Sequence, residues 1–164
     1  MNISEHFTLE ELTRTDVQSM QAENYRLAGG DNKILHALRS GALSLLEPIR
    51  ANYASPVVIH SAYRCPDLND IISREKDPAR RASSQHLLGE AFDFHVVGAS
   101  LFAVFNWIRN ESDLPFGQVI LEGSPPRWIH VSLGEPFRPA NKCRQALVYT
   151  ANADGSFSYK PAAP

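Results

Sequence analysis

The sequence predicts an α+β fold, a small antiparallel sheet with N-terminal helices packed on one of its faces. Three observations carry this. Apolar residues in the first third recur at helical spacing, and those in the last third fall in short β-branched or alternating runs. The turn-rich Gly123-Ser-Pro-Pro126 joins two of these runs in the manner of a hairpin. Helices early and strands late favour α+β over an alternating α/β order.

Taken in order, Phe7, Leu9 and Leu12 predict a short helix between Phe7 and about Gln21. Thr8 followed by Glu11 forms a capping box that satisfies its first free amides. Gly29-Gly30-Asp31-Asn32 predicts a break. Ile34, Leu35, Leu38, Ala42, Leu45, Leu46 and Ile49 then predict a helix over 33–52 with one buried face. Pro48 lies inside that window, so its last turn should bend or stop early. Val57-Val58-Ile59 predicts a strand, and the charged stretch from Ser73 to Ser84, broken by Pro78, a loop. A strand over 91–97 and a helix over 101–108 follow, the latter ended by Asp113-Leu-Pro115. The segments 118–121 and 128–131 predict the hairpin. Ala146 to Thr150 predicts a third late strand, turned by Asn152-Ala-Asp-Gly155 towards Phe157-Ser-Tyr159. No repeat or linker interrupts the chain, so residues 1–164 are expected to form one domain, its core spanning about 5–150 and its tail, 160–164, disordered.

Charge and cysteine usage exclude several function classes. Sixteen Lys+Arg against eighteen Asp+Glu give a net charge of −2, without the basic excess of a nucleic-acid binder. Cys65 and Cys143 are too few for a disulfide scaffold or a four-cysteine zinc site. No apolar stretch approaches the roughly 20 residues that span a bilayer, so no stable membrane insertion is expected. Met1-Asn-Ile-Ser-Glu-His6 lacks a basic region followed by an apolar run, and synthesis in the cytoplasm without a signal peptide is expected.

Two of the six histidines sit in contexts suited to chemistry. In Ser84-Gln-His86-Leu-Leu-Gly89-Glu-Ala91-Phe-Asp93, histidine and carboxylate are seven residues apart, too far for one helix face. The spacing suits a loop histidine, a turn at Gly89 and a carboxylate pointing inward from the next strand. The second is Trp128-Ile-His130-Val-Ser132, a histidine within a buried strand. Two imidazoles and one carboxylate are a full set of protein ligands for a catalytic zinc with a fourth position for water. A strand histidine is also a common hydrogen-bonded core residue.

The motif Ser-x-His-x-x-Gly-x-Ala-x-Asp, carried by Ser84, His86, Gly89, Ala91 and Asp93, followed by Trp128, His130 and Ser132, resembles the zinc D-Ala-D-Ala carboxypeptidase family. That family includes D,D-dipeptidases of vancomycin resistance, phage endolysins and the hedgehog-like zinc fold. Ser61-Ala-Tyr63-Arg64-Cys-Pro66-Asp-Leu-Asn69 is similar to the family's Ser-Gly-Tyr-Arg-Ser-Pro-x-Leu-Asn segment. Phe7-Thr-Leu-Glu-Glu-Leu-Thr13 is similar to the start of small phage-associated members.

The resemblance implies that the sheet carries a Zn2+ site with His86, Asp93 and His130 as ligands. It implies that Arg64 binds substrate and donates to the scissile carbonyl oxygen, a role worth about 2.7–4 kcal/mol by analogy; a lone arginine is more commonly a surface ion-pair partner. Ser84 either hydrogen-bonds substrate or caps the turn. Dipeptidases of the family place a catalytic glutamate three residues before the last histidine, where this chain has Arg127. Glu122, eight residues before His130, is the candidate general base if the hairpin pairs; otherwise it is an exposed acid at a turn. His95, two residues after Asp93 and facing the same way on a strand, is a candidate supporting partner of the site or a proton donor; Trp128 and Phe94 are packing residues beside the site, and the two cysteines are free thiols or, after release, a disulfide.

The implied function is hydrolysis of an amide in the peptidoglycan stem, either at the terminal D-Ala-D-Ala or inside the stem between L-Ala and D-Glu. The partner is then the stem peptide, with no nucleic acid, and the enzyme is expected to be a monomer. It would reach the wall after release or by delivery on a phage-type particle. The alternative is a non-catalytic, hedgehog-like zinc module that binds wall fragments or a protein partner.

Overall fold

The computed structural model describes residues 1–73, 77–137, 143–154 and 156–163. Its frame is one sheet of six strands: β1 (Val57–Ser61), β2 (Ala91–Val96), β3 (Phe116–Glu122), β4 (Trp128–Leu133), β5 (Gln145–Ala151) and β6 (Phe157–Pro161). They lie in the order β1-β2-β4-β3-β5-β6. Every pair is antiparallel except β3 with β5, which run parallel. The expected hairpin is present as β3 and β4, with Glu122 opposite Trp128 and Ile120 opposite His130. The sheet is antiparallel as expected except at this one pair, where the connection after β4 is long enough to return β5 in the direction of β3.

The sheet has an apolar face and a polar one because side chains alternate along each strand. Phe92, Phe94, Val119, Leu121, Ile129 and Val131 share one face and are almost wholly buried. Against Phe92 lies Gly41, at the end of helix α3 (Asn32–Gly41); a Cβ on Gly41 would overlap the Phe92 ring. Glycine there lets the helix approach the sheet. Asp31 caps α3, accepting from the amides of Lys33 and Ile34 at 2.7 and 3.4 Å.

The long helix predicted over 33–52 is helical throughout but changes pitch. A wider π-type turn over Ala42–Leu46 leads from α3 into α4 (Glu47–Tyr53), whose second residue is Pro48. The wider turn accommodates the proline ring and its missing N–H, so the helix passes it instead of stopping. Helix α7 (Leu101–Asn110) packs against β2, β3 and β4 and matches the second predicted helix, two residues longer.

Four expectations need correction. The first helix, α1, is only Leu9–Leu12, although its capping box forms as predicted. The helix α2 (Gln21–Gly30) lies outside the predicted elements and runs through Gly29 and Gly30, where the sequence predicts a break. Only Asn24 and Ala28 of α2 are buried, so it lacks the apolar stripe that reveals a helix. The segment 73–84 is not all loop: α5 (Pro66–Ile72) precedes it and α6 (Pro78–Ala82) lies within it, while residues 74–76 of that prediction lie outside the described residues. Finally, the tail is tied down. Lys160 and Pro161 belong to β6, Ala162 donates its amide to the Ala146 carbonyl at 2.9 Å, and Ala163 accepts from Arg109 at 2.6 Å. The predicted turn into β6 is closed by Asn152, whose amide donates to the Ser156 carbonyl at 2.8 Å; Gly155 and Pro164 lie outside the described residues.

Asn24 explains why α2 exists. Its side chain is fully buried, donates to the carbonyls of Thr13 and Tyr63 at 2.8 and 3.0 Å, and accepts from the Cys65 amide at 2.8 Å. It thereby clamps the segment on either side of Arg64. Asn24→Ala would strand the Tyr63 carbonyl and the Cys65 amide, while the Thr13 carbonyl keeps Gln21 Nε2 at 3.4 Å, and is expected to destabilise the protein by about 3 kcal/mol, read from urea unfolding. A loss below about 1 kcal/mol would mean that water replaces the clamp.

Candidate metal centre

On the polar face, Asp93 lies directly opposite His130 across β2 and β4. His86 reaches the same point from a 3₁₀ turn, Gln85–Leu88, just before β2. The turn ends at Gly89, where φ is +68° and a Cβ would crowd Ile34 and Leu38 at 3.3 Å. A left-handed residue without a side chain is what folds His86 back over the strand, so the turn expected at Gly89 is present.

One ligand atom from each of His86, Asp93 and His130 lies within 4.8 Å of the others. The three side chains are buried or nearly so, and His86 is oriented through its far nitrogen: Nδ1 lies 2.7 Å from the Ala62 carbonyl, leaving Nε2 to face Asp93 at 3.4 Å. A carbonyl partner of this kind fixes the tautomer and leaves the other nitrogen free to ligate. His130 Nδ1 lies 2.9 Å from Asp93 Oδ1. The donor set, two imidazoles and a carboxylate, suits zinc with an open position.

Burial pushes the His86 imidazole down to about 4, so it is neutral at pH 7, as a ligand must be. Burial also opposes ionisation of Asp93, but His86, His130 and Arg64 together outweigh it and hold the carboxyl well below its ordinary range. Arg64 Nη2 donates to Asp93 Oδ2 at 2.6 Å and its Nε to Ser61 Oγ at 2.8 Å. The guanidinium thus sits beside the cluster, anchored on its carboxylate.

A bulge in β1 makes that anchorage possible. Ile59 pairs with Phe94 but Ser61 pairs with Asp93, so one extra residue at His60 moves Ser61 from the apolar face to the polar one. His60 turns instead towards His95, with Nε2 2.8 Å from His95 Nδ1. His95 therefore partners His60; Asp93 is held by Arg64 and His130. Trp128 lies near the same pair, its ring 6.2 Å from His60, and carries the Arg127 guanidinium at 4.8 Å. Phe94, by contrast, is fully buried on the other face.

Glu122 shares the polar face with His130, one diagonal across the hairpin, a separation of about 7–8 Å that a long side chain can bridge. Burial raises its pKa despite the nearby His130 and Arg64. Its Oε1 accepts from the Tyr159 hydroxyl at 3.0 Å. Ser84 is half-buried at the start of the 3₁₀ turn and its side chain makes no capping hydrogen bond. The two cysteines are not joined in a disulfide: Cys65 is buried, and the half-buried Cys143 accepts from the Glu135 amide at 3.1 Å.

An α+β domain whose polar sheet face gathers two imidazoles and a carboxylate has the frame of a mononuclear metal-dependent hydrolase. The chain belongs to the Peptidase M15 family, whose sequence model matches residues 5–132. Membership implies a zinc-dependent metallopeptidase directed at substrates of the peptidoglycan type. Comparison with curated proteins gave no match. No helix among the described residues is long and apolar enough to cross a membrane.

Proposed function

We propose that the protein is a zinc peptidase that hydrolyses an amide in the peptide stem of bacterial peptidoglycan, with His86, Asp93 and His130 holding the metal and Glu122 as general base. The observation that carries this reading is the convergence of three oriented donors and a fourth, separately held carboxylate on one sheet face. Zinc bound there supplies acidification of water to a pKa near 7 and polarisation of the scissile carbonyl. Glu122 takes a proton from the attacking water and passes it to the leaving amine as the C–N bond breaks, so protons balance over the cycle. Arg64, beside Asp93, stabilises the charge that develops on the carbonyl oxygen. Ser84, with a hydroxyl not engaged in capping, binds substrate next to His86.

Mass spectrometry of purified peptidoglycan digested by the zinc-loaded protein, beside a His86→Ala control, tests the proposal. Products absent from the control are expected, and their masses assign the bond as D-Ala-D-Ala or L-Ala-D-Glu. A wild-type protein that binds zinc and releases nothing would favour the non-catalytic binding module. The likeness of residues 7–13 to phage-associated members supports delivery by a phage-type lysis system.

The raised pKa of Glu122 sets the pH dependence. A base must be ionised to work, so kcat/KM is expected to fall on the acid side with an apparent pKa above the ordinary glutamate value of 4.5. A pH–rate profile from pH 4 to 8 checks this; an acid limb that persists unchanged in Glu122→Gln would exclude Glu122 as the base.

A further inference from the structure

The family match ends at residue 132, yet the sheet continues through β5 and β6, and the last strand reaches back to the candidate base. We infer that Tyr159 is a positioning residue for Glu122, its hydroxyl fixing one carboxylate oxygen so that the other faces the reacting water. The inference rests on the reading of Glu122 as general base.

The geometry comes from the sheet. Leu121 pairs with Val148 in the parallel register, so Glu122 at the end of β3 comes alongside Tyr149, and Tyr149 pairs with Tyr159 across β5 and β6. Tyr159 is 43% exposed as a whole residue, but its hydroxyl end is drawn in against Glu122, donating to Oε1 at 3.0 Å. Its ring is held edge-on by two others: Tyr149 at 6.0 Å and Phe157 at 5.7 Å, themselves stacked at 5.5 Å. From the other side, the Arg127 amide donates to the Glu122 carbonyl at 2.8 Å and fixes the hairpin end. The ionisable groups that act on Glu122 are His130, Asp93 and Arg64, all beside the metal cluster, and the hydrogen bond comes from the neutral Tyr159 hydroxyl. Burial and the adjacent Glu122 charge raise the Tyr159 phenol, which keeps its proton and remains a donor at working pH.

A carboxylate with two free oxygens swings between rotamers; one pinned at Oε1 presents Oε2 in a fixed direction, and orientation of a base is a large part of its effect. The hydrogen bond also favours the charged form that the base role requires.

Tyr159→Phe keeps the ring and removes only the hydroxyl. With zinc-loaded protein and purified peptidoglycan, kcat is expected to fall roughly tenfold with KM little changed, and the acid limb of the pH profile to move to higher pH. In a Glu122→Gln background the same change is expected to cost nothing further in kcat, because the two residues act as a unit. An unaltered kcat and acid limb in Tyr159→Phe, or an equal loss with and without Glu122, overturns the inference. If Glu122→Gln is inactive while Tyr159→Phe is silent, the base stands and only the tyrosine's role falls. A wild type inert on peptidoglycan overturns both. Thermal unfolding of Tyr159→Phe is expected to match the wild type; a fall in kcat that instead tracks lost stability, with the acid limb unmoved, also overturns it.

Discussion

Asp93→Ala is expected to abolish zinc binding and to destabilise the metal-free protein by about 3 kcal/mol. Asp93 is the hub of the cluster: its carboxylate meets Arg64 at 2.6 Å, His130 at 2.9 Å and His86 at 3.4 Å, with a side chain only 7% exposed. Removing it leaves the Arg64 guanidinium, 16% exposed, without its counter-charge, and breaking one side of a buried pair costs several kcal/mol. Urea unfolding of chelator-treated wild type and variant reads the loss. Zinc at a hundredfold excess over its Kd should stabilise the wild type by about 2.7 kcal/mol and the variant not at all. A variant that still takes up one zinc per chain would remove Asp93 from the ligand set.

The same cluster fixes how the metal-free protein responds to acid. Folding lowers the pKa of His86 and of Asp93, so the unfolded chain binds protons more readily and stability falls with pH. The His86 contribution is complete above its ordinary value of 6.5 and is lost as pH falls to about 4, a change of up to roughly 3 kcal/mol. The Asp93 contribution is complete above 3.8 and is lost only below it.

Glu122→Gln is expected to lower hydrolysis by about 10²–10⁴-fold while leaving one zinc per chain. Glutamine preserves the shape, and its carbonyl oxygen can still accept from the Tyr159 hydroxyl, so the hairpin should keep its geometry. What is lost is the capacity to take and return a proton. The proposed metal ligands are other residues, so zinc content separates a lost base from a lost metal. Release of stem fragments at a rate within a few-fold of wild type would mean that another group moves the proton.

The three residues proposed to hold the metal were legible in the chain because the motifs that carry the family resemblance are local; their spacing alone also fits a hydrogen-bonded core histidine. His86, Gly89 and Asp93 fall within eight residues, and His130 within a short strand with its own Trp128 and Ser132 context. The strands β1 to β4 announced themselves by short apolar runs, and the capping box of α1 by two residues three apart. Helix α2 did not, since its chief buried side chain is the polar Asn24, whose partners at Thr13, Tyr63 and Cys65 are up to 41 residues away. Nor did β6 appear as more than three residues before a tail, because its pairing with β5 supplies what the Lys160-Pro161 sequence lacks.

By itself, then, the sequence determined which residue types could meet a metal, that they lie on strand and turn, and that early helices cover a later sheet. The element pattern follows from periodicity over a few residues, and the joining of two imidazoles and a carboxylate into one site is what the resemblance of the short motifs implies. The tertiary structure decided the rest: the bulge at His60 that brings Ser61 opposite Asp93, the turn of Arg64 onto that carboxylate, and the parallel return of β5 that lets Tyr159 meet Glu122. Each depends on register between strands far apart in the chain. A shift of one residue sends a side chain to the opposite face, and no local pattern encodes that choice.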